Sequence, residues 1–391
     1  MKKRIFCLIL ALVMVLSLAA CAGSGNDNTE NTKDTTTNTE GSEATTPVSG
    51  GEAELALITD ANSIDDRGFN QFSWEGLKQY AEENGKTYTY YTPIDQSTQS
   101  YLSAIEGAVN NGAKLVVTPG FLFGEAIYKA QTMYPDVHFV LVDATPTLDD
   151  DTVIADNTCS IFFAEEQSGF LAGYAAVKEG YRKLGFFGAL AVPAVVRFGY
   201  GFVDGAEYAA KELGLEAGSI EMKYTYTGAF GNSPDFQAKA AAWYQSGTEC
   251  IFGCGGPDNV FAACEATGGD CVSIRGVDTD MSQITETCLT SAMKMLTPAV
   301  YGAIKAYYND TFPGGTSETL TINEDAVGLP MESSRFKNFT QADYDAIVEV
   351  LKADKDGVTS GIRRDVDADG NTVTIEDVAA TLQYVTVQVV E

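Results

Sequence analysis

Short apolar runs alternate with amphipathic helical stretches along this chain, and the alternation runs through twice. The first series has apolar runs at 55–58, 87–91, 115–118 and 137–142, with helical patterns near 74–81, 101–110 and 125–133. The second has apolar runs at 183–189, 220–226, 250–254 and 272–277, with helical patterns at 164–177, 195–213, 235–245 and 259–265. Such alternation predicts an α/β fold with parallel sheets. The chain has 391 residues, too many for one ordinary core, so two series predict two Rossmann-like lobes with a hinge and a cleft between them. The segment 153–161 reads as a crossing between lobes. The strand-like piece CLTSAMKM (288–295) and the helix from Pro298 read as a return to the first lobe. Lobe 1 is therefore expected to hold 52–157 plus about 282–325, and lobe 2 to hold 158–281 plus about 326–391.

In open parallel sheets, ligands bind beyond the carboxyl ends of the strands. The stretch LALITDANSIDDRGFNQFSWEG (55–76) is strand, acidic loop, helix. It would put Asp60 at a strand end, with Phe69 and Asn70 near the helix start. Asp65 and Asp66 read as solvated or helix-capping acids. Aromatic rings recur beside other strand-end loops (Phe121, Phe198, Phe230), and so do carboxylates (Asp143, Asp258, Asp278). A flat heterocycle gains from contact with ring faces, and paired sugar hydroxyls suit carboxylate acceptors. The ensemble suggests a nucleoside. A phosphorylated ligand would meet too many acids.

The N-terminus is built differently. Lys2, Lys3 and Arg4 precede an apolar run, which closes on Leu18-Ala19-Ala20-Cys21. That order is a signal peptide (1–20) rather than a membrane span, for which the apolar run is too short. Residues 22–51 are mostly Ser, Thr, Asn, Gly, Asp and Glu, a tether that buries too little to order itself. The Cys after Leu-Ala-Ala resembles a bacterial lipobox, which implies lipidation of Cys21 and a chain held at the extracytoplasmic face of the cell membrane.

Other chemistries find little support. The net charge of −29 argues against nucleic acid as a partner. No nucleophile-elbow motif and no P-loop lysine motif occur. The one histidine, His138, begins a strand and reads as a packing residue. Gly199, Gly201 and Gly205 approximate a dinucleotide fingerprint but lie inside a helical pattern, which fits close helix packing. Zinc is disfavoured by the single histidine and the lack of a close CxxC pair. Cys264–Cys271 and Cys250–Cys254 are conceivable disulfides, although Cys250 and Cys254 also read as buried thiols in a strand. The stretch 365–376 matches the spacing of an EF-hand calcium loop, with Asp365, Asp367, Asp369 and Glu376 as oxygen donors and Gly370 at the turn. Calcium and a plain turn joining two strands are the two readings of it.

The chain resembles the basic membrane protein (Med) family of ABC-transporter substrate-binding lipoproteins. The resemblance rests on ITDANSIDDRGFNQFSWEGL (58–77), AEEQSGFLAGYAA (164–176), VPAVVRFGYGF (192–202), TGAFGNSP (227–234), GCGG (253–256), RGVDTD (275–280) and LTSAMKML (289–296). It implies the type I periplasmic-binding-protein fold and a purine-nucleoside ligand passed to an ABC permease and its ATPase. It also implies roles for particular residues. Asp60, Asn70 and Asp143 would address the polar edge of the base, and Phe69 and Phe230 would sandwich it. Asp278 and Lys294 would hold the ribose, with Lys294 paired to Asp278, and Gly255 and Gly256 would allow close approach. Met281 and Gly68 depart from the family pattern. The expected protein is a lipid-anchored receptor and not an enzyme. Receptors for another small polar solute, such as a sugar or signalling molecule, a surface enzyme acting on nucleosides, and a purely structural lipoprotein are the rival readings.

Overall fold

The computed structural model describes residues 51–390, apart from 61, 62, 67 and 277–279; the side chains of 257, 258, 275 and 276 are also outside the description. The expected signal peptide, Cys21 and Asp278 thus lie outside the described residues, as does the side chain of Asp258. In chain order come β1 (Leu55–Ile58), α1 (Phe69–Asn84), β2 (Tyr88–Tyr91), α2 (Thr98–Asn110), β3 (Leu115–Pro119), α3 (Gly124–Met133) and β4 (His138–Val142). A short hairpin of β5 (Thr147–Leu148) and β6 (Asp151–Thr152) precedes β7 (Thr158–Phe163). The second series is α4 (Glu165–Glu179), β8 (Lys183–Gly188), α5 (Pro193–Glu212), β9 (Ile220–Tyr226), α6 (Pro234–Gln245), β10 (Cys250–Cys254), α7 (Pro257–Thr267), β11 (Val272–Gly276) and β12 (Cys288–Lys294). Then follow α8 (Leu296–Tyr308), β13 (Thr316–Leu320), β14 (Val327–Gly328), α9 (Gln341–Lys352), α10 (Ile375–Ala379) and β15 (Val385–Val389).

Among the described residues these strands form two main sheets, ordered β13-β7-β4-β3-β1-β2 and β14-β12-β11-β10-β8-β9-β15. Every pairing in the first is parallel, and in the second only β14 runs antiparallel. β1, β3 and β10 are buried along their whole length, as strands covered on both faces must be. That is why they read as unbroken apolar runs.

The crossings between lobes differ from the sequence expectation. Thr158–Phe163, expected partly as a crossing and partly as lobe 2, pairs with β4 and β13 in the first sheet. Cys288–Lys294, expected to return to lobe 1, pairs with β11 in the second. The chain crosses between Phe163 and α4, between Lys294 and α8, and between Leu320 and β14. Apolar patterning says that a segment is a strand. Backbone pairing alone says which sheet it joins.

Helix packing brings the site elements together. α8 lies against α1 so closely that a Cβ on Gly76 would stand 2.3 Å from the Thr297 carbonyl oxygen. α4 and α5 meet backbone to backbone: a Cβ on Gly201 would stand 2.1 Å from the Glu166 carbonyl oxygen, and one on Gly173 would stand 2.0 Å from that of Phe202. The α5 glycines therefore serve helix packing. The tail is anchored to these same helices. Glu179 of α4 accepts the backbone N–H groups of Lys337, Asn338 and Phe339. Glu207 of α5 accepts those of Gln383, Tyr384 and Val385. Arg363 donates to Asp204 from its backbone at 2.8 Å and from Nε at 2.9 Å.

Candidate ligand-binding site

The first loop is organised by buried carboxylate–amide bonds. Asp66 caps α1, accepting the N–H groups of Gly68 (2.8 Å) and Gln71 (3.1 Å). Asn70 is fully buried. Its Nδ2 donates to Asp60 Oδ1 (2.7 Å) and Asp66 Oδ2 (2.9 Å), and its Oδ1 accepts from the Asp60 backbone N–H (3.1 Å). Asn70 therefore acts through Asp60, holding that carboxylate at the end of β1. Phe69 begins α1, half-buried beside the same loop.

The two lobes meet at Lys294, at the end of β12. Its ammonium is completely buried and binds Asp143, at the end of β4 in the other lobe, and Glu165 Oε1 at 2.9 Å. The rings of Phe69, Phe163 and Phe198 surround Nζ with centroids at 5.1, 5.6 and 5.7 Å. A buried cation needs such company, because desolvation alone would cost several kcal/mol. Phe198, expected beside a loop, is instead a fully buried ring of α5 beneath this lysine. The expected partner Asp278 is outside the described residues. Asp143 sits in the left-handed region, φ 57°. Among the described residues its Oδ1 is buried with no hydrogen-bond partner. Burial pushes the Asp143 carboxyl up to about 6, against the pull of Lys294.

Sequence reasoning missed what stands behind Lys294. Glu165 Oε2 faces Arg197 Nη1 at 3.4 Å, and Arg197 Nε donates to Asp365 at 2.6 Å. A carboxylate of the tail thus reaches Lys294 through two intervening side chains. The one signal in the sequence is a pair of acids, Glu165 and Glu166, opening an otherwise apolar helix. The same bond engages Asp365, the first of the expected calcium donors. Asp367 accepts the backbone N–H groups of Asp369 and Asn371, and Glu376 lies in α10. Among the described residues no group of three or more His, Cys, Asp or Glu is placed to hold a metal ion. Within the 365–376 stretch Val366 is bridged to Thr372.

The second lobe supplies the other wall. Phe230 is 45 % exposed and packs on Gly255, where a Cβ would lie 3.0 Å from its ring. Gly255 has φ 95°, a conformation glycine adopts without strain. At Gly256 a Cβ would stand 2.7 Å from the Gly231 carbonyl oxygen. Buried Asn259, also missed from sequence, donates to the Gly231 and Gly256 carbonyls and accepts from the Ser233 N–H. It thereby fixes the loop that carries Phe230. Across the cleft, Phe121 is 50 % exposed with its ring 6.2 Å from that of Phe230. Met281 is buried in a small cluster with Phe261 and Cys288, so this departure from the family pattern is a packing residue.

Two parallel α/β lobes, joined by crossings and lined at their strand ends by carboxylates, a lysine and rings, define a two-lobed solute-binding protein of the type I periplasmic-binding class. Solved structures share the fold. One is an ABC transporter solute-binding protein from Aeropyrum pernix K1 (TM-score 0.65, 24 % identity, 81 % of this chain and 94 % of that one). Another is from Conexibacter woesei DSM 14684 (TM-score 0.62, 22 % identity, 77 % and 96 %). The Bmp family profile, described as ABC transporter substrate-binding protein PnrA-like, matches residues 53–358, and the chain belongs to that family. A similar protein is the ABC transporter nucleoside-binding protein BmpA of Lactococcus lactis subsp. cremoris, 29 % identical over 85 % of this chain and 93 % of that one. Basic membrane protein B of Borreliella burgdorferi is 27 % identical over 71 % and 80 %. The chain is thus an ABC transporter substrate-binding protein, which takes a small-molecule ligand and works with a permease and an ATPase. Proteins of this family are extracytoplasmic and membrane-associated.

Proposed function

We propose that the cleft captures a nucleoside with a purine base and delivers it to the permease, with the chain anchored by a lipid on Cys21. The observation that carries this reading is Asp143: a buried carboxylate with one oxygen on Lys294 and the other lacking a partner among the described residues. Such an oxygen calls for a ligand N–H donor, and leaving it unmatched costs about 1–3 kcal/mol. A purine offers that donor at its imino or amino edge. Phe69 beside Lys294, and Phe121 and Phe230 across the cleft, offer ring faces for the heterocycle. Asp60, held by Asn70, offers an acceptor for a further N–H or a hydroxyl. A nucleoside-binding relative supports the same ligand class.

Lobe closure would bury the ligand, as hinge-bending binding proteins do. Anchoring rests on the basic, apolar and Leu-Ala-Ala-Cys order of 1–21, and no described helix is long and apolar enough to cross a membrane. A thermal-shift screen of purine nucleosides, pyrimidine nucleosides and pentoses tests the ligand. Purine nucleosides should raise the melting temperature most. A shift with pentoses alone, or with none of the three, would overturn the reading.

A further inference from the structure

At the end of the second lobe away from the cleft, α7 turns into β11 through Gly268 and Gly269, both with positive φ. Cys264, near the end of α7, and Cys271, just before β11, face each other across this turn. Their Sγ atoms stand 2.7 Å apart. Two thiols in ordinary contact keep their sulfurs farther apart than the carbon–carbon contact distance of about 3.5–4.0 Å, since sulfur is the larger atom. Each sulfur also approaches the other residue's carbonyl, at 3.1 and 3.3 Å, and Cys271 Sγ lies 3.6 Å from the Gly268 carbonyl oxygen. Cys264 is buried and Cys271 is partly exposed, and both line an open groove with Thr285 and Thr287.

We propose that Cys264 and Cys271 are a disulfide site, oxidised by thiol–disulfide exchange in the extracytoplasmic compartment. The oxidant is a protein or small-molecule disulfide. Cys271 Sγ, the more exposed of the two, loses its proton to water, attacks one of the oxidant's sulfurs and releases the other as a thiolate. Cys264 Sγ, after losing its proton to water, then displaces the second. The S–S bond of the oxidant breaks, the Cys264–Cys271 bond forms, and two electrons and two protons pass from the chain to the oxidant. Burial holds the Cys264 thiol protonated well above neutral pH, consistent with Cys271 reacting first.

The position gives the bond a purpose. α7 begins beside Gly255 and Gly256, and β11 runs toward the segment carrying Asp278. A clip at the far end ties α7 to β11, and it shortens the loop available to the unfolded chain.

The test uses the full exported chain, blocked with an alkylating agent under denaturing conditions before any reduction. The tryptic fragment 240–275 carries four cysteines: 250, 254, 264 and 271. The site predicts alkyl groups on Cys250 and Cys254 only. Further cleavage after Glu265 should leave two pieces joined until a reductant is added. Reductant should also lower the melting temperature of the wild type and leave that of a C264S/C271S double variant unchanged. Four blocked cysteines before reduction, or a bridge linking any other pair, would overturn the proposal.

Discussion

Asp143 concentrates the chemistry of the cleft in one carboxyl. Burial raises it to about 6 while Lys294 draws on one oxygen. An N–H donor of the ligand binds the ionised form, so the sign is fixed: binding is full above about 6 and weakens as pH falls through that value. Affinity for a purine nucleoside should drop roughly tenfold between pH 7.5 and pH 5. Titration calorimetry at the two pH values reads this directly. Asp143→Asn should bind more weakly and show no such slope; a wild type whose affinity is flat would remove Asp143 from the ligand. Phe230→Ala should lose about 1–3 kcal/mol of binding if it stacks on a base, whereas a pentose ligand would lose little. At this scale much was legible: a strand end followed by Asp, and a loop with a ring and an amide. Asn70 was singled out from the sequence, yet its contact with Asp60 was not, because spacing in sequence does not say which way an amide turns. Asp365 was hidden for a plainer reason. It lies far along the chain from Arg197 and inside a pattern that spells a calcium loop.

The elements were legible wherever patterning decides them. β9 and β10 fall where the apolar runs put them, and the α5 glycines read correctly as packing residues. Sheet membership was not legible for β7 and β12, because in chain order each stands between a strand of one lobe and a strand of the other. The α4–α5 contact invites a direct comparison. Gly201→Ala would drive a methyl group into the Glu166 carbonyl, so the helices must part. It should cost about 1–3 kcal/mol or more, read as a lower urea midpoint. Gly302→Ala, in α8 with open space around its Cβ, should instead stabilise by about 0.5–1 kcal/mol. Equal effects at the two sites would mean that the close contact between α4 and α5 is not what constrains Gly201.

The whole molecule is two lobes whose strand ends face one another, tied by Lys294 and Asp143 across the cleft and braced from behind by the tail. Under the proposed function that arrangement would couple closure to ligand capture, because the ion pair and the paired rings of Phe121 and Phe230 each draw one partner from each lobe. The doubled α/β pattern made the two lobes legible in the sequence. The points of crossing were not, and they put Lys294 at the boundary between a second-sheet strand and a first-lobe helix. Native mass spectrometry of the full chain, extracted from cells grown in rich medium and never unfolded, tests the central claim most directly. The account predicts a retained small molecule with the mass of a purine nucleoside, lost in the Phe69→Ala, Phe230→Ala double variant. A retained sugar, or a cleft that stays empty when purine nucleosides are added in excess, would contradict it.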